Sequence, residues 1–146
     1  MILVRPSKES DEASVYDLIT SLMEVSLDQK SFHDVFVQNL HGDTVLYYVA
    51  ESDGFVVGFA SLHIGPQLHH AGLVGEILEL IVHVSLRGRG IGTQLLSRLE
   101  QEAQKRGCVS IEVTTKKSRV KTQRFYEQMG FTRTHVNFTK HFSYFL

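Results

Sequence analysis

The 146 residues suit a single domain, and a content of 42% hydrophobic and 21% charged residues supports a packed core and excludes a disordered chain. Fifteen basic residues against 16 acidic ones give a formal net charge of −1, which excludes a bulk nucleic-acid binder and gives no reason to expect an anionic membrane as partner. The lone cysteine, Cys108, permits no intrachain disulfide and no cysteine-rich zinc site, and points to a reducing, cytoplasmic setting.

In chain order, MILVRPSKESDEAS reads as neither a signal peptide nor a membrane span. Ile2 to Val4 is a short strand stopped by Pro6. Ser10 or Asp11 caps a helix whose apolar face is Val15, Leu18, Ile19 and Leu22, spaced i, i+3, i+4, i+7. A second helix starts near Asp28, carries Phe32, Val35, Phe36 and Leu40 on one side, and ends at Gly42. Thr44 to Ala50 is β-rich, Asp53-Gly54 is a hairpin signal, and Phe55 to Ile64 is the returning strand. Gly65 to Gly72 reads as a loop. Leu73 to Val84 is a long apolar strand holding two acids, Glu76 and Glu79. A glycine-rich turn follows. The next helix turns Ile91, Leu95, Leu96, Leu99 and Ala103 inward and ends at Gly107. Cys108 to Thr114 is a strand, Val120 to Met129 a short helix closed by Gly130, and two aromatic-rich strands follow from Phe131. The order is β-α-α-β-β-β-α-β-α-β-β over one domain, 1–146. The fold class is mixed α/β, and the Asp53-Gly54 hairpin makes part of the sheet antiparallel.

The turn VSLRGRGIGTQ sets Gly88, Gly90 and Gly92 within five residues at the start of a helix. Converging backbone N–H groups and the positive end of a helix make an anion site, and Arg87 and Arg89 add charge at its rim. No lysine follows, so this is not the nucleotide P-loop. The spacing G-x-G-x-G, preceded by a hairpin, is not the dinucleotide fingerprint either. A phosphate cradle and a plain strand-to-helix turn both remain open on these residues alone.

Arg87, Gly90 and Gly92 match the R/Q-x-x-G-x-G/A motif, and Phe125-Tyr126 with Gly130-Phe131 match a second signature, of the GCN5-related N-acetyltransferase superfamily, which the chain resembles along its length. That resemblance implies a central, mostly antiparallel mixed sheet flanked by four helices, with acetyl-CoA as donor. The pyrophosphate is expected on the amides of Arg87, Gly88, Arg89, Gly90, Ile91, Gly92 and Thr93. Pantetheine is expected along the backbone of Leu80, Ile81, Val82 and Val84, as an added strand. Glu76 stands eleven residues before Arg87 in a Gly75-Glu76-Ile77 segment, the place of the general base in the histone-acetylating branch. Glu79 is its rival: in a regular strand the two face opposite sides, which a bulge would change. The resemblance makes Tyr126 the acid for the leaving thiolate and the N–H of Ile81 or Val82 the donor to the thioester carbonyl. Transfer is expected to be direct, with Cys108 a buried strand residue rather than a nucleophile. Where many members carry Asn and Ala, this chain has Arg119 and Thr122, so Arg119 is the candidate contact to a CoA phosphate or an anionic substrate.

Ser61 to Val82, SLHIGPQLHHAGLVGEILELIV, with the later RFY…G and Phe138-Thr139-Lys140, resembles the bacterial aminoalkylphosphonate N-acetyltransferases. This implies small amines bearing a phosphonate as acceptors, with His63, His69 and His70 as imidazolium contacts. A divalent metal on these histidines is the alternative, but H-x-H and H-x-x-x-H spacings are lacking and no metal is expected. A peptide acetyltransferase and a non-catalytic acetyl-CoA-binding module are the competing functions. The aromatic segment His135 to Leu146 is read as the surface of a homodimer.

Overall fold

The computed structural model describes residues 1–142. The chain falls into two compact units, Met1–Glu112 and the residues from Val113 on. The elements in order are β1 (Ile2–Pro6), α1 (Glu12–Met23), α2 (Gln29–His41), β2 (Val45–Ser52), β3 (Phe55–Gln67), β4 (Gly72–Val82), α3 (Ile91–Lys105), β5 (Ser110–Val113) and α4 (Val120–Gln128). Single 3-10 turns at Glu9–Asp11, Leu68–His70 and Val84–Leu86 link them.

The sheet runs β1-β2-β3-β4-β5, with the first three pairings antiparallel. Val109 N–H donates to the Leu73 carbonyl at 2.8 Å, so β5 begins beside the beginning of β4 and runs in its direction after the α3 crossover. Asp53 and Gly54 both take positive φ (51° and 83°), the two-residue turn whose twist matches that of its strands.

One expectation about helix ends changes, and one about a buried face. The Asp11 carboxylate does not cap α1. It instead accepts from the Lys8 amide at 2.8 Å and from two nitrogens of Arg5 at 2.9 and 3.0 Å, and makes no side-chain bond to the helix amides. Asp28 does cap α2, accepting from the Ser31 amide at 2.9 Å, and Gly42 ends that helix. Val35 lies 56% exposed rather than inward, so the buried face of α2 is built on Phe36, with Phe32 and Leu40 packed against the same cluster.

Half of the expected loop at 65–72 is strand. Gly65, Pro66 and Gln67 pair with Val74, Leu73 and Gly72, and the chain reverses in the 3-10 turn with Ala71 at φ 49°. Pro66 fits because the pairing of β3 with β2 has already ended at His63, so no partner on that side misses its N–H.

The core has two layers. On one face of the sheet Val15 and Leu18 of α1 and Phe36 of α2 meet Val49, Phe59 and Ile81. On the other lies α3, whose Ile91, Leu95, Leu96, Leu99 and Ala103 are all buried as the periodicity predicts. Two glycines seat it. A Cβ on Gly58 would come within 3.0 Å of the Leu95 side chain, and one on Gly75 within 3.7 Å of Ala103 and 3.0 Å of Leu62.

Four α-helices and the mixed sheet agree with the expected fold class. The two strands expected after Phe131 do not form within residues 131–142, and 143–146 lie outside the described residues. Aromatic and β-branched content favours a strand only where a sheet edge supplies partners. Val136, Phe138 and Phe142 are instead exposed.

Candidate active site

The β4 strand carries an irregularity at its middle. Ile77 pairs with Leu62 and Glu79 with Ser61, so Leu78 is an extra residue without a partner on β3. Beyond it Leu80 and Ile81 resume pairing with Ala60 and Phe59. Residues directly opposite each other share a face. Glu76 therefore lies with His63, Glu79 with Ser61, and Ile81 with Phe59, all on the face covered by α1 and α2. The bulge thus puts both acids on one side of the sheet, where a regular strand would have parted them.

A polar row crosses that face. Tyr47 on β2 opposes Ser61 on β3, which opposes Glu79 on β4. The Ser61 hydroxyl donates to Glu79 Oε1 at 2.5 Å, and the Glu79 amide donates to the same Ser61 oxygen at 3.0 Å. Asn39 of α2 donates from Nδ2 to the Tyr47 hydroxyl at 2.7 Å. Burial pushes the Tyr47 phenol up, the Asn39 bond opposes this, and the charge on Glu79 adds to the rise. Sequence reasoning passed over Asn39, Tyr47 and Ser61 as site residues. One signal was present: Ser61 is a lone hydroxyl two residues before His63 in an apolar strand, which places both on one face.

The histidines part company. His63 stands opposite Glu76. His69 and His70 sit in the hairpin turn, beyond the four residues from His63 to Gln67, or about 13 Å along the strand at ~3.3 Å per residue. Their rings lie 4.3 Å apart, and His70 Nε2 faces Glu112 Oε2 at 3.5 Å. His83, at the other end of β4, accepts from the Ser85 amide at 3.2 Å and so caps the 3-10 turn. Among the described residues no group of three or more His, Cys, Asp or Glu side chains could hold a metal ion.

The glycine turn opens α3. Gly88 and Gly90 have φ of 79° and 81°, in the left-handed region, and Gly90 is the N-cap. A Cβ at either would meet nothing within 4 Å, so the turn requires glycine for its backbone angles and not to relieve crowding inside the chain. The first intrahelical bond runs from the Gln94 amide to the Gly90 carbonyl at 3.1 Å, leaving the amides of Ile91, Gly92 and Thr93 without a helical acceptor. Arg87 turns back to donate from Nε to the Val82 carbonyl at 3.3 Å, tying the turn to the end of β4. Arg89 is exposed, and no acidic residue sits in the first turn of α3 to repel an anion.

Alongside β4, β5 is only four residues long and starts beside Leu73, so at ~3.3 Å per residue its ladder reaches about Ile77. Leu78, Leu80, Ile81 and Val82 extend past it, as an added extended ligand would require. Val84 follows in the exposed 3-10 turn.

In the second unit, Tyr126 of α4 is buried with its ring edge-on to Phe125 at 5.2 Å and Phe131 at 5.3 Å. Gly130, at φ 94°, lets the chain fold back so that the Phe131 amide donates to the Tyr126 carbonyl at 2.9 Å. The Phe-Tyr…Gly-Phe spacing is thus a local turn that encloses the tyrosine ring. Burial pushes the phenol up to about 12, against a smaller downward pull from the Arg119 charge, so it holds its proton throughout the neutral range. Arg119 itself is the N-cap residue of α4 and half-buried.

Cys108 departs from its expected place. It lies before β5, in the turn after Gly107, and is only half-buried, because β5 is shorter than its residues suggest. Its thiol is pushed up by burial, the wrong direction for a nucleophile.

Residues 13–131 match the model of the acetyltransferase (GNAT) family. The chain is 42% identical to an aminoalkylphosphonate N-acetyltransferase of Salmonella typhimurium, over 94% of its own length and 89% of the relative's. Among solved structures, it superposes on one described as a transcriptional regulator from Bacillus halodurans, with TM-score 0.90, 27% identity and coverage of 97% and 100% of the two chains. An acetyltransferase of Trypanosoma brucei gives TM-score 0.83 and 26% identity over 97% and 100%.

Proposed function

The chain belongs to the acetyltransferase (GNAT) family, and on that premise we propose that this acetyl-CoA-dependent N-acetyltransferase acts on a small primary amine bearing a phosphonate, by direct transfer. The observation that carries the reading is the shared face of Glu76, Glu79 and His63, created by the extra residue Leu78. It joins two carboxylates, suited to an ammonium group, with an imidazole suited to an anionic one.

An alkylammonium, with a pKa near ~10 by analogy with lysine, is no nucleophile until it loses a proton. Glu76 takes that proton, directly or through a water. The nitrogen lone pair then attacks the thioester carbonyl carbon. The C–N bond forms, the negative charge on oxygen meets the N–H of Ile81 or Val82, the nitrogen gives its second proton to water, and the C–S bond breaks with its electron pair going to sulfur. Tyr126, held protonated, donates to that sulfur. With the phenol pushed well above a thiol near ~8.5, hydrogen bonding stabilises the thiolate at least as much as complete proton transfer does. The free amides of Ile91, Gly92 and Thr93, with Gly88, Gly90, Arg87 and Arg89, hold the donor's pyrophosphate. Arg119 is assigned to a phosphate of the same donor. His63 meets the phosphonate, with His69 and His70 outside this contact.

Thiol release from acetyl-CoA across an amine panel tests the reading. Turnover with 2-aminoethylphosphonate well above that with ethanolamine supports it, and turnover with peptides alone overturns it. The exposed Val136, Phe138 and Phe142 support a homodimer as the working assembly, which light scattering checks. Among the described residues no helix is long and apolar enough to cross a membrane.

A further inference from the structure

We propose that Ser61 is a positioning residue that fixes the Glu79 carboxylate as the anchor for the acceptor's ammonium group, leaving proton removal to Glu76. The proposal rests on the acetyl-transfer reading above and deepens it by giving the two glutamates separate tasks.

Ser61 is fully buried, at 0% exposure, in the centre of β3. Its single oxygen makes both bonds to Glu79: it donates to Oε1 at 2.5 Å and accepts from the amide at 3.0 Å. These bonds close a ring from the backbone of Glu79 through Ser61 to the end of the Glu79 side chain. The ring sits at the bulge, where the extra residue Leu78 shifts the ladder and the Glu79 amide finds a side-chain oxygen as its partner. The hydroxyl therefore satisfies a main-chain group displaced by the bulge and, by the same placement, sets the direction of the carboxylate. On the other side of Ser61, Tyr47 is held by Asn39, so the row is anchored from the helical layer as well.

A carboxylate with one oxygen committed to a hydroxyl keeps acceptor capacity on the other, in a fixed orientation. That suits holding a cation in one pose more than collecting a proton, because the bonded oxygen's lone pair is already engaged. Glu76 is two ladder positions away on the same face and opposite His63. An ammonium group held by Glu79 presents its N–H bonds along that face, toward Glu76.

Steady-state kinetics on Ser61→Ala, Ser61→Thr, Glu79→Gln, Glu79→Ala and the Ser61→Ala/Glu79→Ala double variant test this. The amine used is whichever the wild type acetylates best. The expected result is an amine KM raised on the order of tenfold or more in Ser61→Ala, with the acetyl-CoA KM unchanged, since bonds to charged groups are worth about that much. Ser61→Thr keeps the oxygen and recovers most of the loss. In the Glu79→Ala background Ser61→Ala adds nothing further, because Ser61 acts through Glu79. An unchanged amine KM, a loss confined to kcat, or an equal loss in both backgrounds overturns the proposal. Should thermal melting show Ser61→Ala unfolded, Glu79→Gln decides: it keeps the Ser61 bond and loses the charge, so a wild-type amine KM there overturns the anchor. A panel in which aminoalkylphosphonates are inert while another amine reacts overturns the substrate reading alone.

Discussion

Glu76 and Glu79, three residues apart on one strand, lie on the same face of the sheet because Leu78 between them has no partner on β3. Odd spacing in a regular strand would have sent one of them under α3. The two acids thus share one face, and on the proposed roles substitutions at each should have different signatures.

Glu76→Gln is expected to lower kcat by about 10²–10⁴-fold at neutral pH, the range for loss of a positioned base. The loss should shrink as pH rises toward that of the free amine, while the KM for acetyl-CoA stays unchanged. A pH–rate series on the purified variant checks this, and a wild-type rate at pH 7 moves the base elsewhere.

Gly90→Val should abolish acetyl-CoA binding by titration calorimetry. At φ 81° a β-branched residue is strained although its Cβ meets nothing, so the turn must open and its amides lose their common direction. Gly107, at φ 82° and equally open, is the control. Gly107→Val should show a similar fall in melting temperature with acetyl-CoA binding kept.

Tyr126→Phe keeps the edge-on ring contacts and removes the phenol proton. Turnover should fall roughly 10²-fold or more, in the range of acid catalysis, with little change in the melting temperature at pH 7. The phenol sits near its ordinary value in the unfolded chain and at about 12 in the folded one. The folded state therefore keeps a proton that the unfolded state gives up, and this contribution, complete below about pH 10, is lost as pH climbs from about 10 to 12. Alkaline melts should show a shallower fall over that window in the phenylalanine variant.

The Arg5–Asp11 pair ties β1 to the start of α1, with side chains only 17% and 7% exposed. Burial acts to raise the Asp11 carboxyl, but the bonds from Arg5 and the Lys8 amide outweigh it and hold the group below its usual range. Its stabilisation is present above about pH 4 and fades as pH falls through the lowered value. Asp11→Ala should cost about 3 kcal/mol, since Arg5 keeps only the Glu51 carboxylate and the Pro6 carbonyl as partners, and should flatten the acid limb of the stability profile measured by urea unfolding.

Much of this was legible in the residues. The i, i+4, i+5, i+8 spacing of Ile91, Leu95, Leu96 and Leu99 fixed the buried side of α3, and Asp28 and Gly42 bracketed α2, because these signals act within one or two turns. The consequences of pairing were harder to read. Whether Glu76 and Glu79 share a face depends on which residue of β3 each one meets, and the one-residue slip at Leu78 has no local signature. Ser61 stayed hidden for the same reason: its importance lies in a neighbour 18 residues away. The segment after Phe131 shows the converse, since Val136 and Phe138 have strand character yet form no strand within the described residues.

The seats that Gly58 and Gly75 provide for α3 link the interior of the sheet to the glycine turn that opens this helix. A single methyl at Gly58 would bear on Leu95, one turn from Ile91, and would tip the front of the helix outward. The thickness of that contact thus calibrates the proposed donor site: Gly58→Ala, pressing on Leu95 and on the Ile81 carbonyl, would register first as weakened affinity for acetyl-CoA.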